Sequence, residues 1–114
     1  MTSPVARGLM KPTSVTLHPE AHKELLELCD IDGGSHQDIM RAAIQRGSQH
    51  GMALHVPEWT LQRRNPSKVR KPKMLYMRPA ECHALWKLQR QLDLNASRTI
   101  EVCLHSAWLA HQSK

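Results

Sequence analysis

Two stretches, Thr13-Ser14-Val15-Thr16-Leu17-His18-Pro19 and Lys73-Met74-Leu75-Tyr76-Met77-Arg78-Pro79, decide how this chain folds. Each alternates apolar and polar or exposed positions and is stopped by a proline, which predicts a strand passing directly into a helix. Alternation sets Val15 and Leu17 on one face and Ser14 and Thr16 on the other; in the second stretch Leu75 and Met77 oppose Met74 and Tyr76. A lone short strand leaves its backbone donors and acceptors unpaired, and an isolated two-stranded ribbon is marginal. The two runs are therefore expected to pair and to rest Val15, Leu17, Leu75 and Met77 on helices, leaving the outer face open to a ligand.

The two stretches belong to a longer internal repeat. Leu17-His18-Pro19 aligns with Met77-Arg78-Pro79 at an offset of 60, and the same offset carries Leu25-Leu26 onto Leu85-Trp86, Leu28 onto Leu88, Ser35 onto Asn95 and Ile44 onto Leu104. No gap is needed. Two copies are too few for a solenoid, so the chain reads as one unit written twice around a shared core.

Read along its length, the chain divides into a flexible tail (1–11), a first unit (12–51), a basic linker (52–70) and a second unit (71–112). Pro19 and Pro79 suit the first position of a helix, where the missing N–H is not needed. In the first helix Ala21, Leu25, Leu28 and Cys29 form an apolar stripe widened by Leu26, with Lys23, Glu24 and Glu27 outside it. Asp32-Gly33-Gly34 stops that helix. Ser35 then caps a second, whose stripe is Ile39, Met40, Ala43 and Ile44 and whose outward residues are His36, Arg41, Gln45 and Arg46. The second unit has Ala84, Leu85, Trp86, Leu88 and Leu92, then an Asn95 cap and the strongly amphipathic series Ile100, Cys103, Leu104, Ala107 and Trp108. Segment 52–70 has Pro57 and Pro66 and no sustained period; Trp59 either pins it to the body or is a surface aromatic.

Composition narrows the function. The 114 residues include no Phe and one Tyr, so the core must be built from aliphatic residues with Trp86 and Trp108. No apolar run approaches a membrane span, and Met1 to Met10 has no hydrophobic signal region, so a cytoplasmic protein is expected. Cys29, Cys82 and Cys103 form no Cys-x-x-Cys pair and read as free thiols. His18 and His22 would share a face if both were helical, but nothing completes a ligand set, so neither metal nor cofactor is expected. No nucleophile comes with a base at recognisable spacing, which argues against an enzyme. The net charge of +6 gathers beside the strands: Arg63, Arg64, Lys68, Arg70, Lys71, Lys73 and Arg78 occur without an acid between Trp59 and Ala80, and Arg7 and Lys11 likewise before Pro19. That is the footprint of a polyanion-binding surface.

Strand, helix, tight turn and capped second helix, found at Ser14 to Pro19 with Gly33-Gly34-Ser35 and again at Met74 to Pro79 with Asp93-Leu94-Asn95, resemble the ribbon-helix-helix family of Arc- and MetJ-type DNA-binding proteins. The resemblance implies a mainly α fold: two ribbon-helix-helix repeats in one chain, sharing a two-stranded antiparallel β-ribbon and four helices, like the tandem accessory proteins of some conjugative plasmids. It further implies that Ser14, Thr16, Met74 and Tyr76 contact DNA bases in the major groove. Ser35 and His36, with Asn95, Ala96, Ser97 and Arg98, would hold phosphates at the starts of the second helices. Lys11, Arg63, Arg64, Lys68, Arg70, Lys71, Lys73 and Arg78 would support them. The expected function is sequence-specific binding of double-stranded DNA, as a transcriptional repressor or plasmid relaxosome accessory factor, with self-association of pseudo-dimers among the expected contacts. The alternative is a protein-binding module on the same fold, such as a phage-encoded inhibitor or toxin-neutralising partner, favoured by Met74, Tyr76 and the Trp108 helix.

Overall fold

A computed structural model describes residues 11–49, 54–61 and 73–112. The elements in order are β1 (Lys11–Val15), α1 (Pro19–Asp32), α2 (His36–Gln49), a short α3 (Glu58–Leu61), β2 (Lys73–Met77), α4 (Pro79–Leu92) and α5 (Ala96–Gln112). The chain is mainly helical, with one two-stranded antiparallel sheet. Among the described residues no helix is long and apolar enough to cross a membrane.

The 60-residue offset governs the architecture. It carries both ends of α1 onto both ends of α4, and the start of α2 onto the start of α5. In the ribbon Ser14 pairs with Met74, so positions related by the offset meet each other and the ribbon is two-fold about that pair. The helix ends match as well: Gly33 (φ 75°) and Asp93 (φ 57°) both take the left-handed conformation that ends the first helix of each half. Glycine adopts it without steric cost and Asp is among the few other residues that tolerate it.

One core serves both halves. Val15, Leu17, Leu75 and Met77 are buried beneath the ribbon, and Leu25, Leu28 and Ile44 are buried as are their offset partners Leu85, Leu88 and Leu104. Packing crosses between the halves, with α2 against both α4 and α5, and α1 against α5. Among the described residues the buried side chains of both halves form a single cluster.

Several sequence expectations fail, each for a visible reason. Strand β1 begins at Lys11 and its ladder ends at Val15, earlier than the alternation suggested, because β2 sets the register and places Pro12 opposite Tyr76. Tyr76 donates its N–H outward, away from β1. Pro12, directly opposite, therefore lacks only an outward-pointing donor. Leu26 (44% exposed) and its offset partner Trp86 (51%) lie outside the core, since the buried stripe is narrower than apolar spacing implied. Trp86 instead stacks on His83 and carries the Arg90 guanidinium 4.9 Å from its ring centroid. Arg41 and Gln45, expected outward, reach the buried Glu81 at 3.5 and 3.2 Å.

Helix α5 is not simply amphipathic: Thr99, Ile100, Glu101, Val102, Cys103 and Leu104 are all buried. The cover on its second side comes from the supposed linker. There α3 adds a fifth helix to the expected four, the His55 N–H donates to Ser106 Oγ at 3.1 Å, and the Thr60 hydroxyl donates to Glu101 Oε1 at 2.9 Å. Trp59 does pin this segment, stacked on His18 (5.0 Å between centroids) and edge-on to His105 (5.8 Å).

Glu24, expected outside the stripe, is buried and lies 2.8 Å from His105 Nδ1. Burial pushes its carboxyl up from the ordinary glutamate range; the bond and charge of His105 oppose the rise, while Glu20 and Glu27 add to it. A group whose pKa is raised on folding contributes stability that is fully present below the unfolded value and is lost as pH climbs through the folded one. Glu24→Gln should therefore remove a falling component of the stability profile. The stability difference between wild type and variant is expected to shift in the variant's favour as pH rises above the ordinary glutamate range in urea melts, and a difference that stays constant would contradict the burial argument.

Candidate nucleic-acid interface

The ribbon turns one face to solvent. Ser14 is exposed, Met74 and Tyr76 are each 47% exposed, and Thr16, just past the end of β1, is half-exposed. Across the strands Tyr76 stands opposite Pro12 and Met74 opposite Ser14. The four residues expected to read bases thus lie along one surface.

A two-stranded ribbon has two free edges whose backbone groups need partners. On the β2 edge the Gln37 side chain supplies both: its Nε2 donates to the Met74 carbonyl at 2.6 Å, and its Oε1 accepts from the Tyr76 N–H at 2.9 Å. On the β1 edge Ser97 Oγ accepts from the Thr16 N–H at 3.0 Å. Gln37 and Ser97 are offset equivalents, as are Tyr76 and Thr16, so the second helix of each half clamps the strand of the other half. Gln37 was not among the residues singled out from the sequence; its offset partner Ser97 was, and applying the offset to it would have found Gln37.

These clamps bring the helix starts to the ribbon. At α2 the Ser35 Oγ accepts from the Asp38 N–H (3.1 Å), and at α5 the Asn95 Oδ1 accepts from the Arg98 N–H (2.8 Å), each capping an otherwise unpartnered backbone donor. Beside α5, Thr16, Asn95, Ser97 and Arg98 line an open concavity of about 260 Å³, which brings together one expected base contact and three expected phosphate contacts. Ala96 is half-exposed next to them. Beside α2 the surroundings differ. His36 sits edge-on to His22 with ring centroids 6.0 Å apart, and its pKa is lowered by burial and then by the nearby Lys73 charge, so it takes up a proton less readily than a free histidine.

Lys73 is half-buried at the start of β2 and Arg78 is exposed at its end, where the Arg78 N–H donates to the buried Glu81 (2.8 Å). Lys11 belongs to β1, and nothing is described of its side chain. Arg63, Arg64, Lys68, Arg70 and Lys71, with the tail and most of the basic linker, lie outside the described residues. Among the described residues no three His, Cys, Asp or Glu side chains gather as metal ligands, and His18 is the cap of α1 rather than a helical neighbour of His22. No family model, curated protein or solved structure matches this chain.

Proposed function

We propose that this chain is a non-catalytic, cytoplasmic protein that binds specific sequences of double-stranded DNA, a ribbon-helix-helix pseudo-dimer contained in one polypeptide. It acts as a transcriptional repressor or as a relaxosome accessory factor. The observation that carries this reading is the pair of equivalent clamps, Gln37 on Tyr76 and Ser97 on Thr16, which set a helix start at each edge of a solvent-facing ribbon. A two-stranded ribbon fits the width of the major groove, and flanking helix starts direct backbone donors and positive dipole ends towards the phosphates on either side. The hydroxyls of Ser14, Thr16 and Tyr76 suit base edges, and the positive charges of Arg98, Lys73 and Arg78 suit the phosphate backbone. Buried carboxylates Glu24, Glu81 and Glu101 are withdrawn from that surface.

Sites selected from random duplex DNA, followed by fluorescence anisotropy across a salt series, test the proposal. Affinity should fall tens-fold or more between about 50 and about 200 mM salt, since each phosphate neutralised contributes a slope of about −0.9 in log K against log salt. Arg98→Ala should weaken binding to all sequences alike and reduce that slope by about 1. A complex indifferent to salt, or no enrichment of any sequence, would refute the proposal. The exposed apolar pair Met74 and Tyr76 favours a second reading, in which the ribbon face receives another protein. Capture of a partner that survives nuclease treatment would support it.

A further inference from the structure

The outward face of the ribbon is two-fold in backbone and unlike in chemistry. Its centre is the Ser14–Met74 pair, where offset equivalents face each other. Towards one end Tyr76 stands beside the exposed Pro12; towards the other comes Thr16, bordering the concavity with Asn95, Ser97 and Arg98. The adjoining helix starts sharpen the contrast. Next to Tyr76, Gln37 has both ends of its amide engaged by the β2 backbone, and the exposed Asp38 occupies the position that Arg98 holds in the other half.

One end therefore offers a phenol and a nearby carboxylate, with a thioether at the junction. The other offers hydroxyls and a guanidinium. In the major groove the thymine C5-methyl is the apolar feature of the base edges, and the remaining code consists of donors and acceptors. An apolar end gains by covering methyl groups, while the hydroxyl end gains by hydrogen bonding. Resting on the DNA reading above, we infer that the target is a non-palindromic duplex, with a thymine-rich half beneath Tyr76 and a half read by hydrogen bonds beneath Thr16.

The test uses the full chain and its selected site, with thymine replaced by uracil in one half at a time. Each methyl removed beneath Tyr76 should cost about fourfold in affinity, the loss for about one buried carbon, and each removed beneath Thr16 close to nothing. The variant carrying Met74→Ser and Tyr76→Thr has the same outward residues at offset-related positions of both strands. With its helical circular dichroism unchanged, it should select a near-palindrome built from the Thr16 half and lose the uracil effect. A wild-type site with interchangeable halves, or equal uracil sensitivity in both, overturns this inference while a salt-sensitive complex leaves DNA binding standing. Absence of any salt-sensitive complex overturns both.

Discussion

Replacing Glu101 by alanine is expected to destabilise the protein by about 3–5 kcal/mol, a large share of the stability of a domain this size. Glu101 is completely buried on α5, where Oε2 accepts from the His18 N–H at 2.7 Å and Oε1 from the Thr60 hydroxyl at 2.9 Å. Removing the carboxylate strands both donors away from water and leaves a cavity, and hydrogen bonds to a charged acceptor are worth about 1.5–3 kcal/mol each. Glu101→Gln keeps the volume and one acceptor, so it should lose roughly half as much. Urea unfolding followed by circular dichroism measures both. Equal stability of wild type and Glu101→Ala would mean that the contacts joining the strand exit, α3 and α5 contribute nothing.

The same residue explains how an approximate repeat remains foldable. Where the chain leaves each strand, the backbone N–H of His18 or Arg78 needs an acceptor. Arg78 finds Glu81, three residues on in its own helix. The offset partner of Glu81 is Ala21, which has no acceptor, and Glu101 fills the need from the other half. Both buried acids thus come from the second copy, one from each of its helices, and meet equivalent demands at the two strand exits.

Much of this was legible because backbone demands are local. The Pro19 and Pro79 helix starts, the Ser35 and Asn95 caps and the inward pairs Val15–Leu17 and Leu75–Met77 follow from residue type and period alone. What was not legible depends on contacts distant in sequence. Nothing in the spacing of Leu26 or Trp86 distinguishes a broad stripe from a narrow one; the neighbouring helix decides. Glu24 looked like a solvent-facing acid because its partner, His105, is 81 residues away. Segment 54–61 lacks any period because it covers α5 through single side chains, Trp59 and Thr60, rather than through a repeating face. At the candidate interface the outward residues of the strands were readable from alternation, whereas Gln37 owes its role to the edge of a strand in the opposite half.

Separating the halves, by expressing residues 1–61 and 62–114 as two chains, is expected to abolish folding of each alone and to restore it on mixing at one to one. Alone, each half would leave its strand and the inner faces of its helices without partners, and a unit of this length buries too little surface to compensate. Self-pairing about the ribbon two-fold is the obvious escape, and the buried charges oppose it. In a pair of second halves, Glu81 would face Glu101 where the intact chain supplies Arg41, setting two buried carboxylates against each other at a cost of about 3 kcal/mol or more. In a pair of first halves, Arg41 would meet Ala21 and lose its acid, and the His18 N–H would lose its carboxylate acceptor. Only the mixed pair satisfies Glu81, Arg41 and Glu101 together. Native mass spectrometry should therefore find the heterodimer in excess over both homodimers, with an unfolding midpoint that rises with concentration. Homodimers as abundant as the mixed species would show instead that the apolar core alone, without these charges, sets the pairing.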